Sequence, residues 1–266
     1  MPDQNLLLRE LPPSVLEKLK PRLRIQNFAA GQVLFSAGDK ISNIYFMRSG
    51  AVSLVCELAS GQMIETAMIG YDSVVGGGAA LDDRDALYKA IVQIGGTGFS
   101  LDVDTARHVA REHEEFRKTI IRHEQLILAQ AQQSAACNAS HTLNERLARW
   151  LLHTRDVLGT DTFLLTQEFM AEMLGVRRTS VSIVAHTLQE AGLISYRRGH
   201  IKIEKPEALQ HAACECYNTI RTRYDKVFKA PALEGANAPP GRGDPATRDG
   251  ILEAETRHRA QHLIGP

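Results

Sequence analysis

The sequence predicts an α+β fold in three parts, and three patterns along its 266 residues carry that prediction. Between residues 26 and 94, short apolar runs are separated by glycines at turn-like intervals, which favours a small antiparallel β-roll. Residues 114–139 show two apolar stripes at helical spacing, which predicts one long helix. Beyond residue 144, short helical patterns and an apolar–polar alternation over residues 194–203 predict two crossing helices followed by a hairpin.

These patterns divide the chain into four segments. We expect a β-roll domain at residues 10–100, connecting and dimerisation helices at 101–140, a winged helix-turn-helix domain at 141–229 and a flexible tail at 230–266. The tail contains Ala-Pro-Pro-Gly-Arg-Gly-Asp-Pro, a composition typical of linkers.

Composition and charge restrict the class of protein. The chain is 44% hydrophobic and 23% charged, which is enough apolar material for two ordinary domains. It lacks a signal-peptide pattern and an apolar stretch of bilayer-spanning length, so we expect a cytoplasmic protein without a membrane partner. Its four cysteines are scattered, which favours free thiols in a reducing compartment. Because the formal net charge is zero, affinity for nucleic acid must come from locally placed cations.

Residues 165–188 meet the geometric demands of two helices that cross at a tight turn. Thr166 is placed to cap the first helix, and Ala171 is small where the helices approach. Gly175 is suited to the left-handed conformation that ends this helix, and Val176 follows it as an apolar plug. The segment therefore predicts a helix-turn-helix.

The exposed face of the second helix concentrates long or hydrogen-bonding side chains near its N-terminal end. A helix that enters the major groove contacts base edges from these first turns, so double-stranded DNA is the predicted partner. On this pattern, the base-contacting residues are Arg177, Arg178, Thr179, Ser182 and His186. We expect flanking phosphates to be held by Thr166 and by the basic hairpin residues Arg197, Arg198 and Lys202.

Residues 10–229 resemble the family of the cyclic-AMP receptor protein and the fumarate-nitrate regulator (Crp-Fnr). The motifs that carry the resemblance are FAAGQVLFSAGD from residue 28, IYFMRSGAV from residue 44 and the helix-turn-helix. The resemblance implies a transcription regulator with a cyclic-nucleotide-binding-like roll. It further implies a homodimer on a two-fold symmetric operator, and RNA polymerase as a partner of an activator. It adds Ile183 to the base-contacting positions, where Ile183 and Thr179 replace the arginine and glutamate of well-studied members.

The region that matches the family's effector pocket departs from its pattern. Its candidate residues are Gly70, Asp72 and Arg84, but three aspartates at positions 82, 83 and 85 surround Arg84 and disfavour a phosphate. We therefore expect no cyclic nucleotide as cofactor. An iron-sulfur cluster is also not expected, because Cys56 is the only cysteine before Cys137.

Two interpretations of the long helix remain open. The helix is either wholly buried inside one chain, or packs one stripe on its own roll and the other on the same helix of a second subunit. For the second case we assign dimerisation to Phe116, Ile120 and Ile127, with a neighbouring stripe at residues 121, 128 and 135.

Cys137 is predicted to be either an oxidant sensor or, more simply, a packed thiol. A helix through residues 211–216 would point Cys214 and Cys216 apart, so we predict buried small side chains and no metal site there. No catalytic motif is present, which argues against an enzyme.

The alternative to a DNA-binding regulator is a ligand-binding or scaffold protein whose winged domain contacts protein.

Overall fold

The computed structural model describes residues 5–83 and 85–228, so Arg84 and the predicted tail at 230–266 lie outside the described residues. The N-terminal part contains α1 (Leu6–Arg9), α2 (Pro13–Leu19), β1 (Arg24–Phe28), β2 (Val33–Phe35), β3 (Asn43–Met47), β4 (Ala51–Glu57), β5 (Met63–Ile69), β6 (Val74–Val75), β7 (Lys89–Ile94) and β8 (Gly96–Asp102). The remainder contains α3 (Val103–Glu112), α4 (Glu114–Ser140), α5 (Leu143–Leu158), β9 (Thr162–Leu164), α6 (Gln167–Leu174), α7 (Arg178–Glu190), β10 (Ile194–Arg197), β11 (His200–Ile203), α8 (Pro206–Ala212) and α9 (Cys216–Phe228).

Two antiparallel four-stranded sheets form the predicted roll, with strand orders β1-β8-β3-β6 and β2-β7-β4-β5. Buried side chains from both sheets, among them Met47 and Val52, fill the space between them. Gly50 joins β3 to β4 with a positive φ of 80°, and a Cβ there would lie 2.5 Å from the carbonyl oxygen of Ile94. The α+β class and the antiparallel roll are therefore confirmed. The clash explains why a glycine occupies position 50.

Strand β4 is buried on both of its faces, because the winged domain covers the outside of its sheet. Val52 and Leu54 point into the roll, whereas Ala51 and Val55 belong to a core shared with α5 and α6. This dual burial explains why residues 51–55 of β4 are all buried and, apart from Ser53, apolar rather than alternating.

Helix α5 contacts the roll closely at two points. A Cβ on Gly70, at the end of β5, would collide with Val157, so only glycine allows this approach. The Glu65 carboxylate accepts hydrogen bonds from Ser53 Oγ at 2.6 Å and from Trp150 Nε1 at 2.8 Å. Glu65 thus connects the sheet to α5.

The predicted dimerisation stripe of α4 is wrong. Phe116 and Ile120 are fully buried among the N-terminal helices, and Ile127 is buried against the roll. The neighbouring stripe is exposed instead, with Ile121 40% and Leu128 59% accessible. The bulkier stripe packs on the protein's own roll because that contact buries more apolar surface.

Polar residues of α4 also face the roll. Gln130 Oε1 accepts from the backbone N–H of Met68 at 2.5 Å, and its amide nitrogen lies 2.9 Å from His153 Nε2 of α5. Burial and the nearby Arg149 lower the pKa of His153 to about 3, so the imidazole is neutral. Gln130 therefore joins α4, the roll and α5 at one point.

Burial of Glu65 should make the free energy of unfolding depend on pH. Desolvation raises the pKa of Glu65 to about 7 from 4.5, so the folded chain holds this proton more tightly than the unfolded chain. Stability contributed by this group is present below pH 4.5 and is lost as the pH rises toward 7. Relative to Glu65→Gln, the wild type should lose up to about 3 kcal/mol of unfolding free energy across this window.

Denaturant unfolding at several pH values measures this difference. Glu17→Gln, on the exposed surface of α2, is the matched control and should keep the wild-type pH dependence. Parallel pH profiles for the wild type and Glu65→Gln would contradict the assignment.

Candidate nucleic-acid interface

The first helix of the predicted helix-turn-helix, α6, begins and ends as expected. Thr166 Oγ1 accepts from the backbone N–H of Phe169 at 3.1 Å, which caps the helix. Gly175 has a φ of 67°, and the N–H of Val176 donates to the Ala171 carbonyl at 2.9 Å. The turn thus closes by a left-handed glycine.

The second helix, α7, presents most of the predicted base-contacting residues to solvent. Ser182 is the exception, because it is half-buried and its hydroxyl donates to Gln167 Oε1 at 2.6 Å. Ile183 is 68% exposed, although it is apolar. The exposed side chains are Arg177, Arg178, Thr179, Ile183 and His186.

The N-terminal end of α7 is electrostatically open to an anion. Its first turn carries no acidic residue, and the N-cap residue Arg177 makes no side-chain cap. The first backbone N–H groups and the helix dipole therefore favour a negative group such as a phosphate. Arg178 Nε lies 3.7 Å from Glu168 Oε2, but both side chains are exposed, so this ion pair is weak and easily exchanged.

The hairpin β10–β11 forms the wing, and β9 extends it to a three-stranded sheet that the sequence patterns did not show. Its two-residue turn consists of Arg198 and Gly199, with φ values of 52° and 83°. Arg198 is the only described non-glycine residue with a positive φ. Lys202 Nζ contacts Glu204 Oε2 at 2.7 Å. The wing therefore exposes Arg197, Arg198 and Lys202 together, as predicted.

Of the three candidate effector residues, the structure describes Gly70 and Asp72 but not Arg84. Gly70 packs against Val157, as described above. Asp72 lines a cleft of about 530 Å³ that α5 and α9 also border, and burial raises the pKa of its carboxyl. Its Oδ1 accepts from Ser73 Oγ at 2.9 Å.

The structure brings Cys137 together with Cys214 and Cys216, which come much later in the sequence. Cys214 lies in the turn between α8 and α9, so the prediction of a helix that points Cys214 and Cys216 apart is wrong. Both sulfurs lie near Cys137 and the imidazole of His141. Burial raises the pKa of the Cys137 thiol, which opposes the thiolate that an oxidant sensor needs. His141 was not a candidate from the sequence: it follows Cys137 by one helical turn, but Cys214 and Cys216 are separated from it by more than 70 positions.

Two family models match the chain. The Crp-like helix-turn-helix domain matches residues 145–212, and the cyclic nucleotide-binding domain matches residues 25–113. Together these ranges cover more than half of the sequence and fall on the winged domain and the roll. The chain belongs to the Crp-Fnr family of transcription regulators. It is accordingly a DNA-binding regulator and not an enzyme.

Individual relatives agree with this membership. The global nitrogen regulator of Synechococcus elongatus is 25% identical over 196 residues, which cover 70% of this chain and 88% of the relative. Among solved structures, a Crp/Fnr-family regulator from Eubacterium rectale has a TM-score of 0.62 at 15% identity, and the match covers 79% of this chain and 99% of that one. A CRP-family regulator from Thermus thermophilus has a TM-score of 0.59 at 22% identity and covers 71% and 96%. These two structural matches show a shared fold.

Within the described residues of this Crp-Fnr chain, no helix is both long and apolar enough to cross a membrane.

Arg198 at the tip of the wing has a left-handed backbone and carries a charge that we predict to contact a phosphate. The left-handed conformation costs a non-glycine residue about 1 kcal/mol, and asparagine tolerates it better. Arg198→Asn should therefore raise the unfolding free energy by up to about 1 kcal/mol and lower the salt dependence of DNA binding by about one charge. Arg197→Asn is the matched control, because it removes a charge without relieving strain. An equal gain in stability for both variants would refute the strain argument.

Proposed function

We propose that the protein acts as a homodimer that recognises a two-fold symmetric operator. The observation that carries the DNA-binding part of this proposal is that the winged domain exposes three features: the N-terminus of α7 without an acidic residue, the polar face of α7 and the basic wing. In this arrangement α7 enters the major groove and the wing holds the flanking phosphates. Such geometry suits DNA better than a protein partner, for which a cationic and polar face offers little apolar area.

The exposed side chains suggest which bases are contacted. The Arg178 guanidinium is suited to bidentate bonds with guanine, and the apolar Ile183 is suited to contact a thymine methyl group. Since Thr179 and Ile183 differ from the residues of well-studied family members, the operator should differ from theirs. Thr166 Oγ1 already accepts a backbone hydrogen bond, so its hydroxyl proton remains available for a phosphate oxygen.

Base and phosphate contacts should respond differently to substitution. Arg178→Ala should cost about 1 to 3 kcal/mol on the specific site and relax specificity at one base pair. Lys202→Ala should weaken specific and random DNA alike and lower the salt slope by about one. Titrations of both duplexes at several salt concentrations measure this, after footprinting has located the operator. Equal losses on specific and random DNA for Arg178→Ala would refute its assignment as a base contact.

The dimer surface that we propose is the exposed stripe of α4. Ile121, Leu128 and Ala135 recur every seven residues, which is the spacing of a coiled-coil seam. Two copies of α4 packed along this stripe would place the two winged domains on either side of the two-fold axis. A small residue at position 135 allows the helices to approach closely.

Leu128→Glu should convert the dimer to a monomer, because it places two like charges opposite each other in the seam. Sedimentation equilibrium measures the association constant. Leu87→Glu is the control, since Leu87 is an 84% exposed leucine outside α4, and it should leave the dimer intact. Persistence of the dimer in Leu128→Glu would move the interface elsewhere.

We also propose that the effector, where one acts, is not a cyclic nucleotide. This rests on the burial of Asp72, its contact with Ser73 and the packing of Gly70 against α5. The protein would act in the cytoplasm, and RNA polymerase would be its partner at promoters that it activates.

A further inference from the structure

A compact group of metal-binding side chains lies where the long helix meets the winged domain. Cys137 Sγ is 3.5 Å from Cys214 Sγ, and Cys216 Sγ is 3.6 Å from His141 Nδ1. All four potential ligand atoms lie within 4.8 Å of one another. The three cysteines are buried, and the His141 side chain is 17% exposed. We propose that Cys137, His141, Cys214 and Cys216 form a tetrahedral Zn²⁺ site.

The distances fit a single ion. A tetrahedral zinc with Zn–S bonds of about 2.3 Å separates its sulfurs by roughly 3.8 Å, close to the spacing found here. Three thiolates and one imidazole are a complete ligand set of the structural type. An iron-sulfur cluster distributes its four protein ligands over two or more irons, so ligands on different irons lie further apart than those of a single ion. A disulfide between Cys137 and Cys214 would use two of the four groups and leave the placement of Cys216 and His141 without a role.

Residues around the group are placed as outer partners of a metal site. His141 Nε2, the nitrogen that does not face the cysteines, lies 3.2 Å from Glu215 Oε1. A carboxylate on the distal nitrogen fixes the ring and its tautomer so that Nδ1 is the ligand. Gln133 Nε2 donates to Cys216 Sγ at 3.1 Å, which stabilises a thiolate.

A buried arginine near the site carries the charge opposite to that of the metal centre. Three thiolates and one dication leave a net charge of minus one, and the three thiol protons pass to solvent on binding. Arg149 is 5% exposed, and its Nε has no hydrogen-bond partner among the described residues. Its guanidinium lies close enough to act electrostatically on Cys137. A buried cation with a free donor is otherwise costly, and an anionic metal centre compensates it.

The position of the site gives it a mechanical consequence. Cys137 lies in the last turn of α4, and His141 is the residue at which α4 ends. Thr142 follows directly as the N-cap of α5. Zinc would therefore fix this junction to the turn that precedes α9.

The test uses the full chain, purified under reducing conditions. Elemental analysis should find one zinc per chain, and Co²⁺ in place of zinc should give the absorption of a tetrahedral thiolate complex. Cys214→Ser should lose this spectrum, whereas Cys56→Ser, at an exposed cysteine outside the group, should retain it. The proposal would be overturned if the wild type contained no zinc and gave no cobalt absorption. A Cys137–Cys214 disulfide under these reducing conditions would also overturn it.

A second variant keeps the test valid if Cys214→Ser fails to fold. Glu215→Gln changes a side chain that is 75% exposed and leaves all four ligands in place. Zinc affinity measured by chelator competition should fall by about 10-fold to 100-fold with unchanged circular dichroism. Unchanged affinity would overturn the assigned role of Glu215. The measurement needs neither DNA nor a dimer, so it is independent of the proposed function.

Discussion

The contact between α5 and the outer face of the β4–β5 sheet is the constraint on which the rest of this molecule depends. It buries β4 on both faces, and it places the winged domain against the roll through one shared apolar core. Hydrogen bonds of the Glu65 carboxylate with Ser53 and Trp150 cross this contact. Because the core is continuous, a change in the roll at β5 alters the surface on which α5 rests, which is how a signal would reach the DNA-binding helix.

The helix-turn-helix was predictable nearly to the residue, and the reason is local. Capping by Thr166 and the left-handed Gly175 are decided by neighbours within a few positions, so the sequence alone specifies them. The roll was likewise predictable from apolar runs between turn glycines. Local signals were too weak to predict α1, α2, β9, α8 and α9. Asn5 caps α1 and prolines begin α2 and α8, but such single signals do not define a helix whose stability comes from tertiary packing.

Two predictions, the dimerisation stripe of α4 and the cysteines around Cys137, failed because they depend on residues distant in sequence. The sequence shows that α4 has two apolar stripes, but not which one faces the roll, since that depends on the surface offered by distant strands. Phe116 and Ile120 are the bulkier residues and pack inward. Similarly, the Cys137 group could not be assembled from spacing, because Cys214 comes 77 positions later and the turn before α9 is set by tertiary contacts. Long-range proximity of this kind is the information that a single sequence lacks.

The return of α9 to α4 restricts how the winged domain moves. The first helix of the winged domain, α5, begins at Leu143 directly after the α4 junction, and the last helix, α9, packs back on α4, where Arg223 Nη1 donates to the Ala129 carbonyl at 3.3 Å. Together with the apolar core that the winged domain shares with the roll, these attachments oppose rotation of the winged domain about α4. In a dimer joined along α4, the two recognition helices would keep their separation and tilt until the contact between α5 and the β4–β5 sheet repacks, so a change of operator geometry would require a discrete rearrangement of that core.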